Sequence, residues 1–206
     1  HSELHPTAAT AATACFLITA AAAAAVRGTA ALDAALVANL TPGSYSAVVT
    51  GKTAAPGIAL MEAYDTSTTA TSAKLVNMSA RTNVGTGGSI LIAGFAIQGD
   101  APKQLLIRAI GPSLTQFGVT GVLADPQLRL FNAAGTATDT NDDWASSAAL
   151  AAAHGNAFTQ TGAFGLPAAS KDAALLVTLQ PGAYTAQVSG AAGTTGVALV
   201  EVYEVP

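Results

Sequence analysis

Residues 181–190 read Pro181-Gly182-Ala183-Tyr184-Thr185-Ala186-Gln187-Val188-Ser189-Gly190, and a Gly- and Thr-rich turn leads on to Val197-Ala198-Leu199-Val200-Glu201-Val202-Tyr203. From Tyr184 to Ser189 the residues alternate with period two, as they do in a strand with one buried face. Val197 to Tyr203 reads as a second strand, and Gln180-Pro181-Gly182 as the turn that enters the first. The same text occurs earlier in the chain. Leu32-Asp33-Ala34-Ala35-Leu36 through Tyr64-Asp65 aligns without a gap on Lys171-Asp172-Ala173-Ala174-Leu175 through Tyr203-Glu204, and about half of the aligned positions are identical. Pro42-Gly43-Ser44-Tyr45 falls on Pro181-Gly182-Ala183-Tyr184, and Ala59-Leu60-Met61-Glu62-Ala63-Tyr64 on Ala198 to Tyr203. Alanine richness cannot supply the matched Pro, Gly, Glu and Tyr, so the chain carries an internal repeat. Residues 32–65 are expected to superpose on 171–204.

Outward from the repeat, the region from about Lys74 to Thr140 has no upstream counterpart. Apolar runs there predict strands over Leu75–Ala80, Ile90–Ile97, Leu105–Ile110 and Leu128–Phe131, and a further one over Ala173–Thr178. Gly85-Thr86-Gly87-Gly88 and Gly99-Asp100-Ala101-Pro102 separate them. One Ala-rich helix is expected over Ser146–His154, with Asp143 as its candidate cap. Short strands at regular spacing predict an all-β fold, an antiparallel, jelly-roll-like β-sandwich. The organisation is a partial trailing half-repeat over 1–65, a Ser/Thr linker over 66–73 and a full repeat over 74–206. The linker, with Thr66-Ser67-Thr68-Thr69 and Thr71-Ser72, is hydroxyl-rich enough to carry O-linked sugars.

Composition narrows the partners. The formal net charge is −4 and only 10% of residues are charged, so the clustered Lys and Arg that nucleic acid or an anionic membrane would recruit are missing. Half of the chain is apolar, which argues for a packed core and against disorder. Residues 8–26 carry no charge, but Ala and Thr dominate them, so they read as a packed segment rather than a membrane span. The single cysteine, Cys15, has no intrachain disulfide partner and reads as a small buried residue. The chain opens at His1 rather than Met, which reads as a processed or trimmed start.

The run Leu130-Phe131-Asn132-Ala133-Ala134-Gly135 to Asn141-Asp142-Asp143, followed by Leu179-Gln180-Pro181-Gly182-Ala183-Tyr184-Thr185 and Val188-Ser189-Gly190, resembles bacterial pre-peptidase C-terminal-type β-sandwich modules. With Ile92-Ala93-Gly94-Phe95, Leu106-Ile107-Arg108-Ala109-Ile110-Gly111-Pro112-Ser113-Leu114 and Leu123-Ala124-Asp125-Pro126, the fuller string is similar to repeats found in tandem in large secreted or surface proteins of environmental bacteria. The resemblance covers 74–206, with 32–65 as a partial copy. It implies an extracellular or cell-surface location and a non-catalytic scaffold or adhesion role, and it implies no ligand.

Candidate chemistry is sparse. Asp139, Asn141, Asp142 and Asp143 crowd enough oxygen ligands onto one stretch for calcium, though without the spacing or glycine of an EF-hand loop. The same residues read equally as turn and cap formers. His1, with His5 and His154 as the only histidine partners, would suit a copper site of an oxidative polysaccharide enzyme. Arg108 lies in an apolar strand and, if buried, needs a partner such as Asp125 or Glu201. Glu62 and Glu201 occupy the same place in both copies, which marks a repeated structural contact more than an acid–base pair. Ser113 lacks the glycines of a nucleophile elbow, and no triad can be drawn. Asn39-Leu40-Thr41 and Asn77-Met78-Ser79 match the N-glycosylation pattern in or beside predicted strands.

The half-repeat then decides the expected function. Strands without the half that should cover them are an association hazard unless something pairs with them. The leading expectation is a self-associating subunit of an extracellular filament or surface assembly, polymerising head-to-tail by strand complementation or domain swapping. The alternative is a non-catalytic adhesion or carbohydrate-binding module, with glycans as partners, in a larger secreted protein. The third is the copper-dependent enzyme using His1.

Overall fold

The computed structural model describes the backbone of residues 12–18 and, with side chains, residues 36–38, 40–50, 57–64 and 75–206. Among the described residues ten strands form two antiparallel sheets: β1 (Ala12–Ile18), β2 (Gly43–Val49), β3 (Leu75–Val84), β4 (Leu91–Ile97), β5 (Lys103–Ile110), β6 (Pro126–Asn132), β7 (Ala137–Asn141), β8 (Ala173–Leu179), β9 (Gly182–Gly190) and β10 (Gly196–Glu204). One sheet runs β2-β1-β3-β10-β5-β8 and the other β4-β9-β6-β7. The eight strands from β3 onward divide four and four between the sheets, as in a jelly roll. The expected all-β sandwich is the fold. Among the described residues no helix is long and apolar enough to cross a membrane.

Two apolar cores flank the larger sheet. Between the sheets lie Val84, Leu91, Ile107, Leu128, Leu130, Val188 and Val200. On the outer face of the larger sheet a second core gathers Leu106, Ile110, Leu114, Trp144, Phe158 and Leu166. It is closed by α1 (Ala148–Thr161), whose buried residues are His154, Ala157 and Phe158. Strand β5 is therefore covered on both faces, which explains its unbroken Leu-Leu-Ile-Arg-Ala-Ile run. The helix differs from expectation at both ends. Its cap is Ser147, whose hydroxyl accepts the Leu150 amide at 3.2 Å, and not Asp143. It runs to Thr161 because Phe158 extends the apolar face past His154, and Gly162 closes it in the left-handed conformation (φ 71°).

The two copies do not superpose over their whole length. Gly43–Val49 is a strand, as its counterpart β9 is, but it extends the larger sheet through β1 instead of entering the smaller one. Residues 57–64, the counterpart of β10, form no strand, and neither do 36–38 and 40, opposite β8. The physical reason lies in the ladder pattern of the full copy. There β8 pairs with β5, β9 with β4 and β6, and β10 with β3 and β5. Every partner of β8, β9 and β10 belongs to the leading half, so their copies in 32–65 have no ladder to make with one another, and β2 takes its ladder from β1, outside the repeated segment.

Candidate functional site

The polar residues that both copies share converge, in the full copy, on one strand and turn: Arg108-Ala109-Ile110-Gly111-Pro112-Ser113. Arg108 is fully buried. Its Nε donates to Glu201 Oε2 at 2.9 Å, its Nη2 donates to the same oxygen, and its Nη1 donates to the Phe164 carbonyl at 2.6 Å. The guanidinium carbon lies 4.4 Å from the ring centre of Phe164 and 4.9 Å from that of Phe158. A buried arginine is tolerable only when its donors are matched in this way. Of the two partners considered from sequence, Glu201 takes the role. The other Glu201 oxygen accepts the Tyr203 hydroxyl at 2.8 Å. Burial, and then the negative Glu201 beside it, hold that hydroxyl's pKa well above the ordinary tyrosine value.

Asp172 is the second node. Its carboxylate is fully buried and accepts the Gly111 amide at 2.7 Å, the Ser113 hydroxyl, and the Ser170 hydroxyl at 2.5 Å. Gly111 is obligatory there, because a Cβ would sit 2.1 Å from the Leu123 carbonyl oxygen. Sequence reasoning passed over Asp172, although the signal was present: Asp33 stands at the same place in the partial copy. A third contact comes from Gly196, packed against the backbone of Val122 and Leu123 where a Cβ would come within 2.7 Å. Val197 bonds there to the Gly121 carbonyl and the Leu123 amide, both at 2.8 Å.

Among the described residues, the partial copy keeps the local contacts and shows none of these leading-half ones. Tyr45 donates to the Thr41 carbonyl at 2.8 Å, as Tyr184 does to that of Gln180 at 3.0 Å, so the Pro-Gly-x-Tyr corner is built twice. Tyr64 donates to Glu62 at 2.9 Å, repeating Tyr203 and Glu201, and this bond, with the Glu62 charge, raises the Tyr64 pKa. Yet Ile58, Leu60 and Tyr64 are 86%, 83% and 75% exposed, and Gly57 faces open space. Their counterparts in β10 are buried or half-buried.

The four acidic-run residues are only partly gathered. Asp139 lies in β7 opposite Leu130, a strand not expected from sequence because its residues are polar. Asn141 ties β7 to β8, accepting the Ala174 amide at 3.0 Å and donating to the Asp143 carbonyl at 3.1 Å. Asp143 pairs with Lys171 at 2.9 Å, and Asp142 is exposed. Among the described residues no three of His, Cys, Asp and Glu are grouped to hold a metal. His154 is buried and its Nδ1 bonds to the Trp144 carbonyl at 2.6 Å, while His1 and His5 lie outside the described residues. Ser113, Asp172 and His154 make no triad, because Ser113 donates directly to the carboxylate and the imidazole bonds elsewhere.

Two shallow depressions stand out among the described residues. One, about 340 Å³, opens between the sheets beside Val76, Met78, Phe95 and Ile97. The other, about 430 Å³, lies beside Phe131, Asn132, Thr185 and Gln187 on the smaller sheet. Of the two sequons, Asn77 sits inside β3 with its amide donating to the Val202 carbonyl at 3.3 Å, and Asn39 lies outside the described residues. No protein-family model matches the chain, and no curated protein matches it either.

Proposed function

We propose that the chain is a non-catalytic structural module of an extracellular assembly, joined to like modules through the strands of its partial repeat. The observation that carries this reading is the contrast between β10, shared between two ladders, and its copy 57–64, which leaves Ile58 and Leu60 open to solvent. Apolar side chains spaced to fill a sheet, and not filling one, favour pairing with another chain or module. A non-catalytic role is supported by the buried polar groups themselves. Arg108, Glu201, Asp172, Ser113 and His154 are all occupied in structural bonds.

Strand counting separates two forms of the assembly. Each leading half accommodates one β10-type strand, and in this chain β10 fills that place. A homopolymer built by exchange would therefore displace one such strand for every one inserted. A tandem array of modules, each half meeting its complement, strands none, and is the form we favour over a head-to-tail filament. Light scattering of the intact chain over a wide concentration range tests the reading. Because this chain's leading half is already filled by β10, the chain alone is expected to stay monomeric. It is expected to bind an added peptide of residues 103–113, the central strand of a leading half, in a manner that Ile58→Asp with Leu60→Asp abolishes. Open-ended growth of the chain alone would restore the filament, and a chain that binds no such peptide would lose the joining role altogether.

A further inference from the structure

We infer that the partial repeat is the trailing half of a second jelly roll, and that it docks the leading half of another module of the same repeat by an arginine strand and Gly-Pro-Ser turn equivalent to 108–113. The inference rests on the joining role proposed above and adds what is recognised. Three observations carry it. First, all the ladders of β8, β9 and β10 go to leading-half strands; β2 already has one edge on β1, so the partner that 57–64, the copy of β10, lacks has the hydrogen-bonding pattern of β3 and β5. Second, the residues that grip that half in the full copy are kept in the partial one: Asp33 for Asp172, Gly57 for Gly196, Glu62 for Glu201 and Tyr64 for Tyr203. Third, the described members of that set are open: Glu62 is exposed and already receives the Tyr64 hydroxyl, as Glu201 receives Tyr203 beside Arg108. The occupant is not this chain's own leading half, whose β5 already pairs with β10 and β8.

The chemistry of the occupant follows. It is an apolar strand with one arginine placed to meet Glu62, followed by a Gly-Pro-Ser turn as at 111–113. A charge exchange tests this on the intact chain. The probe is a fluorescent peptide with the sequence of residues 103–113, Lys-Gln-Leu-Leu-Ile-Arg-Ala-Ile-Gly-Pro-Ser. Fluorescence anisotropy should report saturable binding, weakened tenfold or more by Glu62→Arg in the chain or by Glu in place of the peptide's Arg. Combining the two changes should restore most of the affinity. Glu62 is exposed, so its substitution should leave the circular dichroism spectrum and unfolding midpoint of the chain unmoved. Binding that ignores both charge changes, or no binding, would overturn the inference. If Ile58→Asp with Leu60→Asp abolishes peptide binding while the charge exchange has no effect, the joining role stands and the arginine recognition falls.

Discussion

Gly57–Tyr64 and Gly196–Tyr203 carry the same Gly, Ala, Leu, Glu and Tyr at the same places, yet the second is a central strand and the first is exposed chain. What is local survives in both. The tyrosine hydroxyl finds the glutamate two residues back, and the Pro-Gly corner is closed by its own tyrosine. What differs is supplied from elsewhere: the ladders of β3 and β5, the arginine, and the Val122-Leu123 backbone against the glycine. The contrast teaches that strand formation here is a tertiary event. A pattern suited to a pleated, half-buried surface becomes a strand only when the surface is there.

The sharpest way to break that comparison is to remove the arginine. Arg108→Met leaves the Glu201 carboxylate buried without its cation, and breaking such a pair costs about 3–5 kcal/mol. Glu62→Gln in the partial copy should change stability by less than ~0.5 kcal/mol, as exposed substitutions do. Urea unfolding of the two variants measures both, and equal losses would mean that Glu62 is already held as Glu201 is. Adding Glu201→Leu to Arg108→Met should recover much of the loss, since an apolar pair of similar volume often replaces a buried ion pair without penalty.

The two glycines sharpen it next. Gly196→Ala drives a methyl into the backbone of Val122 and Leu123, for a cost of about 1–3 kcal/mol. Gly57→Ala meets nothing within 4 Å and should be neutral within ~0.5 kcal/mol. A measurable loss at Gly57 would show that the partial copy is packed in the unligated chain.

Alkaline titration separates the two tyrosines by a smaller margin. The raised pKa of Tyr203 means that the folded state keeps a proton which the unfolded chain releases near the ordinary tyrosine value. Its contribution to stability is therefore complete below about pH 10 and lost as pH rises from there toward the folded pKa. Tyr203→Phe should flatten the alkaline fall in unfolding midpoint, while Tyr64→Phe, whose raised pKa comes from an exposed, solvent-screened bond to Glu62, should flatten it far less. An identical alkaline slope in the two variants would refute the assignment.

How much of this could be read from residues alone follows the same line between local and tertiary. The strands around Leu91–Ile97, Lys103–Ile110 and Gly196–Glu204 were legible, because their apolar runs are long and glycine-punctuated. The Arg108–Glu201 pair was legible as one of two options, because a charge in an apolar strand must be answered. Strand β7 was not, since its Thr and Asp residues look like loop and are held by the β6 ladder and the Asn141 bridge. Asp172 was hidden for a related reason: it is polar, lies just before an apolar run, and two of its three partners, Ser113 and Gly111, are 59 and 61 residues away. The duplicated aspartate was the one clue, and it acquires meaning only when the turn it grips is known. Failure of 57–64 to form its strand was likewise invisible to a local pattern that is nearly the same in both copies.

The smallest effect expected is at the tyrosine corners, and it bears most directly on whether the copies differ only in their partners. Each corner is a bond from a hydroxyl to the carbonyl four residues earlier, at 2.8 Å in one copy and 3.0 Å in the other, and in each a Cβ added to the corner glycine would lie 3.7 Å from the tyrosine ring. The bond is worth about 0.5–1.5 kcal/mol wherever breaking it is part of global unfolding. Tyr184 belongs to β9, whose ladders to β4 and β6 make it part of the cooperative unit, so Tyr184→Phe should lower the unfolding free energy by that amount. Tyr45 belongs to β2, at the outer edge of the larger sheet with β1 as its partner there, and edge strands open locally before the core does. Tyr45→Phe should then leave the global transition within error and speed hydrogen exchange only in residues 41–49. If both substitutions lower the global midpoint equally, the partial copy is cooperative with the sandwich in the isolated chain, and it does not wait for another module to order it.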